Sequence, residues 1–219
     1  MTERWSRQGL YAITPDSYLS PSTLADQVAQ CLQGGARVVQ YRDKTGTAGH
    51  RLEVARRLLQ LCREFRVPLL INDDPSLALA VGADGVHLGR EDPGLALARE
   101  QLGPGAIIGI SCYNRLDLAL AAEASGADYV AFGRFFASAT KPQAVAAGLE
   151  LLREARARLR RPIVAIGGIT PENGGALVQA GADLLAVIQG VFGQPDIQSA
   201  ARAYSRLFPL GDTRHESVP

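Results

Sequence analysis

Cysteine is scarce, with three in 219 residues. Cys31, Cys62 and Cys112 form no metal-ligand spacing and cannot all pair, which predicts buried free thiols in a reducing compartment. Cys31 and Cys62 fall on helical stretches, and Cys112 just after a strand. Unbalanced charge is scarce too: 23 Lys and Arg against 22 Asp and Glu leave a net charge of +1, which removes the electrostatic case for nucleic acid or an anionic membrane as partner. No apolar run approaches the roughly 18 residues that a membrane helix needs. Met1 to Gln8 is polar and lacks the apolar stretch of a signal peptide. No Ser- or Pro-rich linker divides the chain, so residues 1–209 read as one domain, followed by a flexible tail, 210–219, too polar to pack. There is no Ser-His-Asp triad, and no Lys inside a strand to argue for a Schiff base. These absences predict a cytoplasmic protein whose chemistry rests on charge stabilisation.

Apolar residues are plentiful, at 47%, and one short phrase recurs. Gly35-Ala36-Arg37, Gly82-Ala83-Asp84, Gly126-Ala127-Asp128 and Gly181-Ala182-Asp183 each follow an amphipathic stretch and run into a short apolar strand. Gly stops each helix because it takes the left-handed backbone cheaply. Four further strand-like runs lie between them: Leu10 to Thr14, Leu69 to Asp73, Ile107 to Ser111 and Ile163 to Gly167. Helical periodicity marks Ser22 to Gln33, with Ser22 as N-cap, and a second stretch through Leu52, Ala55, Leu58, Leu59 and Cys62. Asp74-Pro75 and Asp92-Pro93 open the next two helices; Arg115 to Ser125, Leu149 to Leu159, Pro171 to Ala180 and Ile197 to Leu207 supply the rest. The strands are continuous rather than alternating, as parallel strands buried on both faces are. The alternation predicts a single (β/α)₈ barrel, with its chemistry at the C-terminal strand ends.

Polar residues collect at those ends. Alternation places Gln40, Arg42 and Lys44 together at the end of the second strand, where two cations suit an anionic ligand. A salt-bridge cluster with Asp43 is the competing reading. Asn72 and Asp73 end the third strand and Asp92 follows the fourth; carboxylates without a Cys or His set suggest Mg²⁺. Asp74 and Asp92 also sit where a helix N-cap would, and His87 reads as a hydrogen-bonded barrel residue before a catalytic base. After the sixth strand, Phe132 to Pro142 carries Ser138, Thr140 and Lys141, a segment suited to closing over a phosphate or simply a solvated loop. Gly167 and Gly168 end the seventh strand and Ile188-Gln189 the eighth, the usual phosphate corner of this fold.

With these residues assembled, the chain resembles the thiamine-phosphate synthase family. The likeness runs from about Gly9 to Phe192 and rests on Tyr11-Ala12-Ile13-Thr14, Gln40-Tyr41-Arg42-Asp43-Lys44, Ile71-Asn72-Asp73-Asp74, Gly85 to Asp92, Ser138-Ala139-Thr140-Lys141-Pro142 and Ala165 to Thr170. It implies a transferase of thiamine biosynthesis that joins 4-amino-5-hydroxymethyl-2-methylpyrimidine diphosphate to 4-methyl-5-(2-phosphoethyl)thiazole, releasing pyrophosphate through a dissociative, carbocation-like mechanism. By the same resemblance Asp73 and Asp92 hold Mg²⁺ on the diphosphate, helped by Arg42, Lys44, Asn72 and Lys141. Gln40 meets the pyrimidine with Ser111 nearby. Ser138, Thr140, Gly167, Gly168, Ile188 and Gln189 hold the thiazole phosphate. Gln189 stands where Ser is common in the family, and Arg90 where Gln is common. A thiazole tautomerase shares the barrel but tends to lack the Gly89-Arg90-Glu91-Asp92 and Thr140-Lys141-Pro142 segments. A non-catalytic sensor of thiamine precursors is a second alternative. The sequence admits a homo-oligomer without specifying one.

Overall fold

The computed structural model describes residues 5–16, 20–89, 92, 94–137 and 147–208. Its strands are β1 (Gly9–Ile13), β2 (Val38–Tyr41), β3 (Leu69–Asn72), β4 (Gly85–Leu88), β5 (Ile107–Tyr113), β6 (Tyr129–Gly133), β7 (Ile163–Ile166) and β8 (Leu184–Val187). They close in sequence order into one parallel barrel, β8 pairing back onto β1. The (β/α)₈ reading is therefore correct. Alternating with the strands are α1 (Pro21–Gln33), α2 (Ala48–Phe65), α3 (Pro75–Val81), α4 (Leu95–Leu102), α5 (Leu116–Ala124), α6 (Leu149–Arg158), α7 (Pro171–Gln179), α8 (Gln189–Phe192) and α9 (Ile197–Ser205). The tail expected over 210–219 lies outside the described residues. No helix among those described is long and apolar enough to cross a membrane.

The recurring phrase has a mechanical role at the bottom of the barrel. Its four glycines take φ of +100°, +73°, +91° and +111°. The Ala after each donates its N–H five residues back: Ala36 to Cys31, Ala83 to Ala78, Ala127 to Ala122 and Ala182 to Leu177. That is the bond which closes a helix through a left-handed residue. Asp then bolts the new strand to its neighbour. Carboxylate oxygens of Asp84, Asp128 and Asp183 accept from the N–H groups of Leu69, Ile108 and Ile163 at 2.9, 2.9 and 2.7 Å. The first copy has Arg37 in place of Asp and keeps only the backbone link, Arg37 N–H to Leu10 C=O at 2.8 Å.

A fifth helix ends in the same way without glycine. Arg66 closes α2 at φ 56°, and Val67 N–H reaches Cys62 C=O at 3.0 Å. A non-glycine residue there is held in a conformation that costs about 1–2 kcal/mol. Arg66 is exposed, so Arg66→Gly removes strain and little else. It is expected to raise stability by about 0.5–1 kcal/mol, read as a higher urea midpoint at unchanged slope.

Two element ends differ from the sequence reading. Ser20, not Ser22, caps α1: its hydroxyl accepts Thr23 N–H at 3.2 Å, and Pro21 takes the first helical position, where no N–H is needed. β5 runs to Tyr113 rather than stopping at Ser111, through a register shift between those residues. Cys112 therefore lies inside the strand. All three cysteines are free and buried, and burial pushes their thiols up to about 12.

Apolar side chains form two bodies. One fills the layer between barrel wall and helices; the other, including Tyr11, Val38, Leu70, Ile107, Tyr129, Val164 and Leu184, fills the barrel itself. The interior is thus a packed plug rather than a pore, and the C-terminal rim is where this fold carries its active sites.

Candidate active site at the barrel mouth

The end of β2 is shaped by β1. Thr14 is fully buried; its hydroxyl accepts Arg42 N–H at 2.9 Å and donates to Arg42 C=O at 3.1 Å. The Arg42 side chain, mostly buried, pairs with Asp16, whose other oxygen accepts Lys44 N–H at 3.0 Å. Asp43 is not their partner. It turns the other way and accepts from Thr45 N–H and Gly46 N–H at 2.9 and 2.8 Å, a tight local turn. The salt-bridge cluster with Asp43 is thereby removed as a reading.

Lys44 reaches across to β3, with Nζ 3.3 Å from Asp73 Oδ2. Asp73 has φ 61°, a left-handed backbone that Asp tolerates better than most residues, and its N–H bonds His87 C=O on β4 at 2.9 Å. The question of which Asp caps a helix is resolved separately for the two candidates. Asp74 caps α3, accepting Leu77 N–H at 2.9 Å. Asp92 does not cap α4, whose N-cap is Gly94. Its carboxylate instead folds back onto Gly89 N–H at 2.5 Å. Burial pushes the Asp92 carboxyl above its ordinary range. The Gly89 N–H opposes that rise, the neighbouring Asp73 carboxyl adds to it, and Lys44 offsets part. Two crowded carboxyls of this kind are relieved by a shared proton or by a shared cation. No group of three or more His, Cys, Asp or Glu able to hold a metal occurs among the described residues. A hard ion here would complete its shell with water or ligand oxygens, as Mg²⁺ does.

Below this charged rim runs a chain of side-chain hydrogen bonds that the sequence did not announce. Gln40, 2% exposed, donates Nε2–H to Tyr11 Oη at 2.7 Å. Tyr11 and Tyr129 hydroxyls meet at 2.8 Å, Tyr129 meets His87 Nδ1 at 2.9 Å, and His87 Nε2 meets Ser111 Oγ at 2.8 Å. His87 is indeed a hydrogen-bonded barrel residue.

Across the barrel, Gly167 and Gly168 take φ of +106° and +62°. A Cβ on Gly167 would meet Arg134, and one on Gly168 would meet Phe136 and the Ala137 carbonyl. The pair thus admits the start of the loop after β6. Four successive carbonyls here are tied down: Ile166 by Phe135 N–H, Gly167 by Phe136 N–H, Gly168 by Asn173 and Ile169 by Tyr204. That removes oxygen lone pairs that would repel an anion. Ile188 caps the short α8, which opens with Gln189. Tyr204 is buried under this corner, donating to Ile169 C=O at 2.9 Å, and a Cβ on Gly190 would collide with its hydroxyl. Tyr204→Phe frees the Ile169 carbonyl and is expected to raise KM for a phosphorylated substrate held there about three- to tenfold, with kcat little changed. Steady-state kinetics in each substrate check this.

The structure therefore gathers Arg42, Lys44, Asp73 and Asp92 on the β2–β4 side, with Asn72 at the end of β3. Gln40 and Ser111 are joined through the barrel interior, and Gly167, Gly168, Ile188 and Gln189 form the β7–β8 corner. Ser138, Thr140, Lys141 and Arg90 lie outside the described residues. Thr14, Asp16, Tyr11, Tyr129 and Tyr204 were missed. For Thr14 and Tyr11 a signal existed, since both sit in the Tyr11-Ala12-Ile13-Thr14 segment that opens the barrel.

A closed parallel barrel with paired cations and carboxylates at its C-terminal rim is a (β/α)₈ barrel with its charged side chains gathered where this fold places its chemistry. Within that class, the thiamine monophosphate synthase family matches residues 10–191, and the chain belongs to it. It is 53% identical over 204 residues to thiamine-phosphate synthase of Nitrosococcus oceani, covering 93% of this chain and 94% of that one. It is 56% identical over 204 residues to the same-named protein of Marinobacter nauticus, covering 92% and 91%. Thiamine phosphate pyrophosphorylase from Pyrococcus furiosus superposes with a TM-score of 0.81 at 36% identity, over 92% of this chain and 96% of that one.

Proposed function

We propose that the chain is a Mg²⁺-dependent thiamine-phosphate synthase, condensing 4-amino-5-hydroxymethyl-2-methylpyrimidine diphosphate with 4-methyl-5-(2-phosphoethyl)thiazole and releasing pyrophosphate. The observation that carries this reading is the meeting of Lys44 with Asp73, beside Asp92 and Arg42, at adjacent strand ends. One diphosphate with its metal and one monophosphate need two anion sites, and the β2–β4 rim and the β7–β8 corner supply a candidate for each.

Asp73 and Asp92 fit Mg²⁺ and would hold it; when bound, it neutralises charge on the departing pyrophosphate. Arg42 and Lys44 add fixed positive charge to the same leaving group, and Lys141 joins them by family resemblance. To receive the diphosphate, Arg42 exchanges Asp16 for phosphate oxygens and Lys44 exchanges Asp73. The bond from the pyrimidine methylene carbon to the diphosphate oxygen breaks, its electron pair leaving with pyrophosphate. The electron-rich aminopyrimidine bears the resulting positive charge. A new bond then forms from the thiazole nitrogen's own lone pair, so no general base is needed. That accords with His87, whose ring nitrogens are taken by Tyr129 and Ser111. Gln40 and Ser111 orient the pyrimidine. Ser138, Thr140, Gly167, Gly168, Ile188 and Gln189 hold the thiazole phosphate, the last largely by backbone. Buried free thiols support a reducing cytoplasm as its compartment.

The test is pyrophosphate release by the purified protein with both substrates and Mg²⁺, against EDTA and single-substrate controls. Release is expected only when both substrates and metal are present. No release, with the thiazole phosphate still bound, overturns the enzymatic reading in favour of a sensor.

A further inference from the structure

Gln40 and Ser111 stand on β2 and β5, with β3 and β4 between them along the barrel wall. They are nevertheless connected. From Gln40 the chain passes through Tyr11, Tyr129 and His87 to Ser111, each link between 2.7 and 2.9 Å. Tyr11 and Tyr129 are fully buried, and burial holds both phenols well above their ordinary pKa. Each therefore has one proton to give and keeps oxygen lone pairs to receive. A neutral imidazole likewise has one donor nitrogen and one acceptor.

Those inventories leave the chain two senses. In the first, Gln40 N–H donates to Tyr11, Tyr11 to Tyr129 and Tyr129 to His87 Nδ1. His87 Nε2–H then donates to Ser111, whose own proton is freed for a ligand. In the second, every bond reverses: Ser111 donates inward and Gln40 is left presenting its NH₂. Because each interior group has a single proton, turning one link alone strands a proton with no acceptor in the chain, so the links favour turning together. The Gln40 amide, donating from Nε2 to Tyr11, stands in the first sense. That leaves its carbonyl oxygen as an acceptor at one end of the chain and the Ser111 hydroxyl as a donor at the other.

We propose that Tyr11, Tyr129 and His87 are positioning residues which couple Gln40 to Ser111 and fix their donor and acceptor roles, so that the mouth selects an aminopyrimidine over its oxo counterpart. The proposal rests on the functional reading above, in which both end residues meet the pyrimidine. The exocyclic amino group donates and a ring nitrogen accepts, matching an acceptor at Gln40 and a donor at Ser111. Replacing the amino group by an oxo group turns that donor into an acceptor and adds a ring N–H. It opposes the first sense at both ends.

The barrel is shaped to hold this chain. Gly109 lies between His87 and Tyr129 in the strand register. Lacking a Cβ, it lets the Tyr129 ring cross β5 and stack on His87, with centroids 5.6 Å apart and planes 18° from parallel. Trp5 and Tyr11 brace the same ring edge-on, each at 5.9 Å.

The experiment is a binding and turnover cycle with Gln40→Ala, Ser111→Ala and their double variant, in the wild-type and Tyr129→Phe backgrounds. Its probes are the aminopyrimidine diphosphate and its 4-oxo analogue, with Mg²⁺. In the wild-type background the two end substitutions should be non-additive in KM by about five- to tenfold. Tyr129→Phe should raise KM for the amino substrate about tenfold, narrow the amino-to-oxo preference by about as much, and make the end substitutions additive. Tyr11→Phe cuts the chain at another link and should do the same, which keeps the test open if Tyr129→Phe folds poorly. Additive end effects in the wild type, or an unchanged preference in both Phe variants, overturn the coupling while leaving the enzyme reading intact. Absence of pyrophosphate release from the wild-type protein overturns the enzyme reading, and this proposal with it.

Discussion

Asp73→Asn is expected to lower kcat for pyrophosphate release by about 10²–10³-fold and to leave the fold intact. The substitution is chosen for its backbone. Asp73 sits at φ 61°, and Asn is the residue that tolerates this region nearly as well, whereas Ala would add strain to the loss of charge. The variant keeps the side-chain shape and the N–H bond to His87 and removes one negative charge. Two consequences follow together. Any cation shared with Asp92 loses half its protein-borne charge, so the Mg²⁺ concentration giving half-maximal rate should rise. Lys44, 3.3 Å from Asp73, also loses the partner that aims it at the rim. Rates measured over a Mg²⁺ titration, beside a urea melt, separate the chemical loss from any loss of stability. An Asp73→Asn protein turning over within tenfold of wild type at ordinary Mg²⁺ would remove Asp73 from the metal site.

The charged rim was legible because its parts are local. Arg42, Lys44, Asp73 and Asp92 each lie within a few residues of a strand end, and a parallel barrel brings neighbouring ends together. The barrel was legible for a similar reason: its closing device, a left-handed Gly followed by Ala and Asp, is written contiguously and repeated. Competing roles were settled only by geometry. Asp74 and Asp92 both precede Pro, but Asp74 accepts the N–H three residues on and Asp92 folds back onto Gly89. The interior chain was not legible at all. Tyr11 and Tyr129 are 118 residues apart, and in sequence each is simply an aromatic residue in an apolar strand. Asp16 was missed because nothing local ties it to Arg42, from which it is separated by 26 positions and all of α1. The helix opening at Gln189 was missed because four residues are too few for periodicity to register.

Gly109→Ala is expected to carry a large structural penalty. A Cβ on Gly109 would fall within the phenol ring of Tyr129, nearest Cζ and the two Cε atoms. The ring has nowhere to go. It is fully buried, stacked on His87 and flanked by Trp5 and Tyr11, so relief requires moving β5, β6 or several side chains together. Overpacking of this kind costs about 1–3 kcal/mol in ordinary cores and more where the neighbour is rigid; we expect about 3 kcal/mol or above, read as a lowered urea midpoint. The identity of the offending atoms supplies the control. Tyr129→Phe keeps the ring and so should not rescue Gly109→Ala, whereas Tyr129→Leu removes the ring and should recover most of the loss. Non-additivity between Gly109→Ala and Tyr129→Leu would tie the penalty to this one contact. Equal destabilisation in all three Tyr129 backgrounds would instead locate it in the β5 backbone. If rescue by Leu restores stability but not turnover, the glycine serves the hydrogen-bonded ring and not merely the packing of the plug. One missing Cβ then links the fold to the chemistry at its rim.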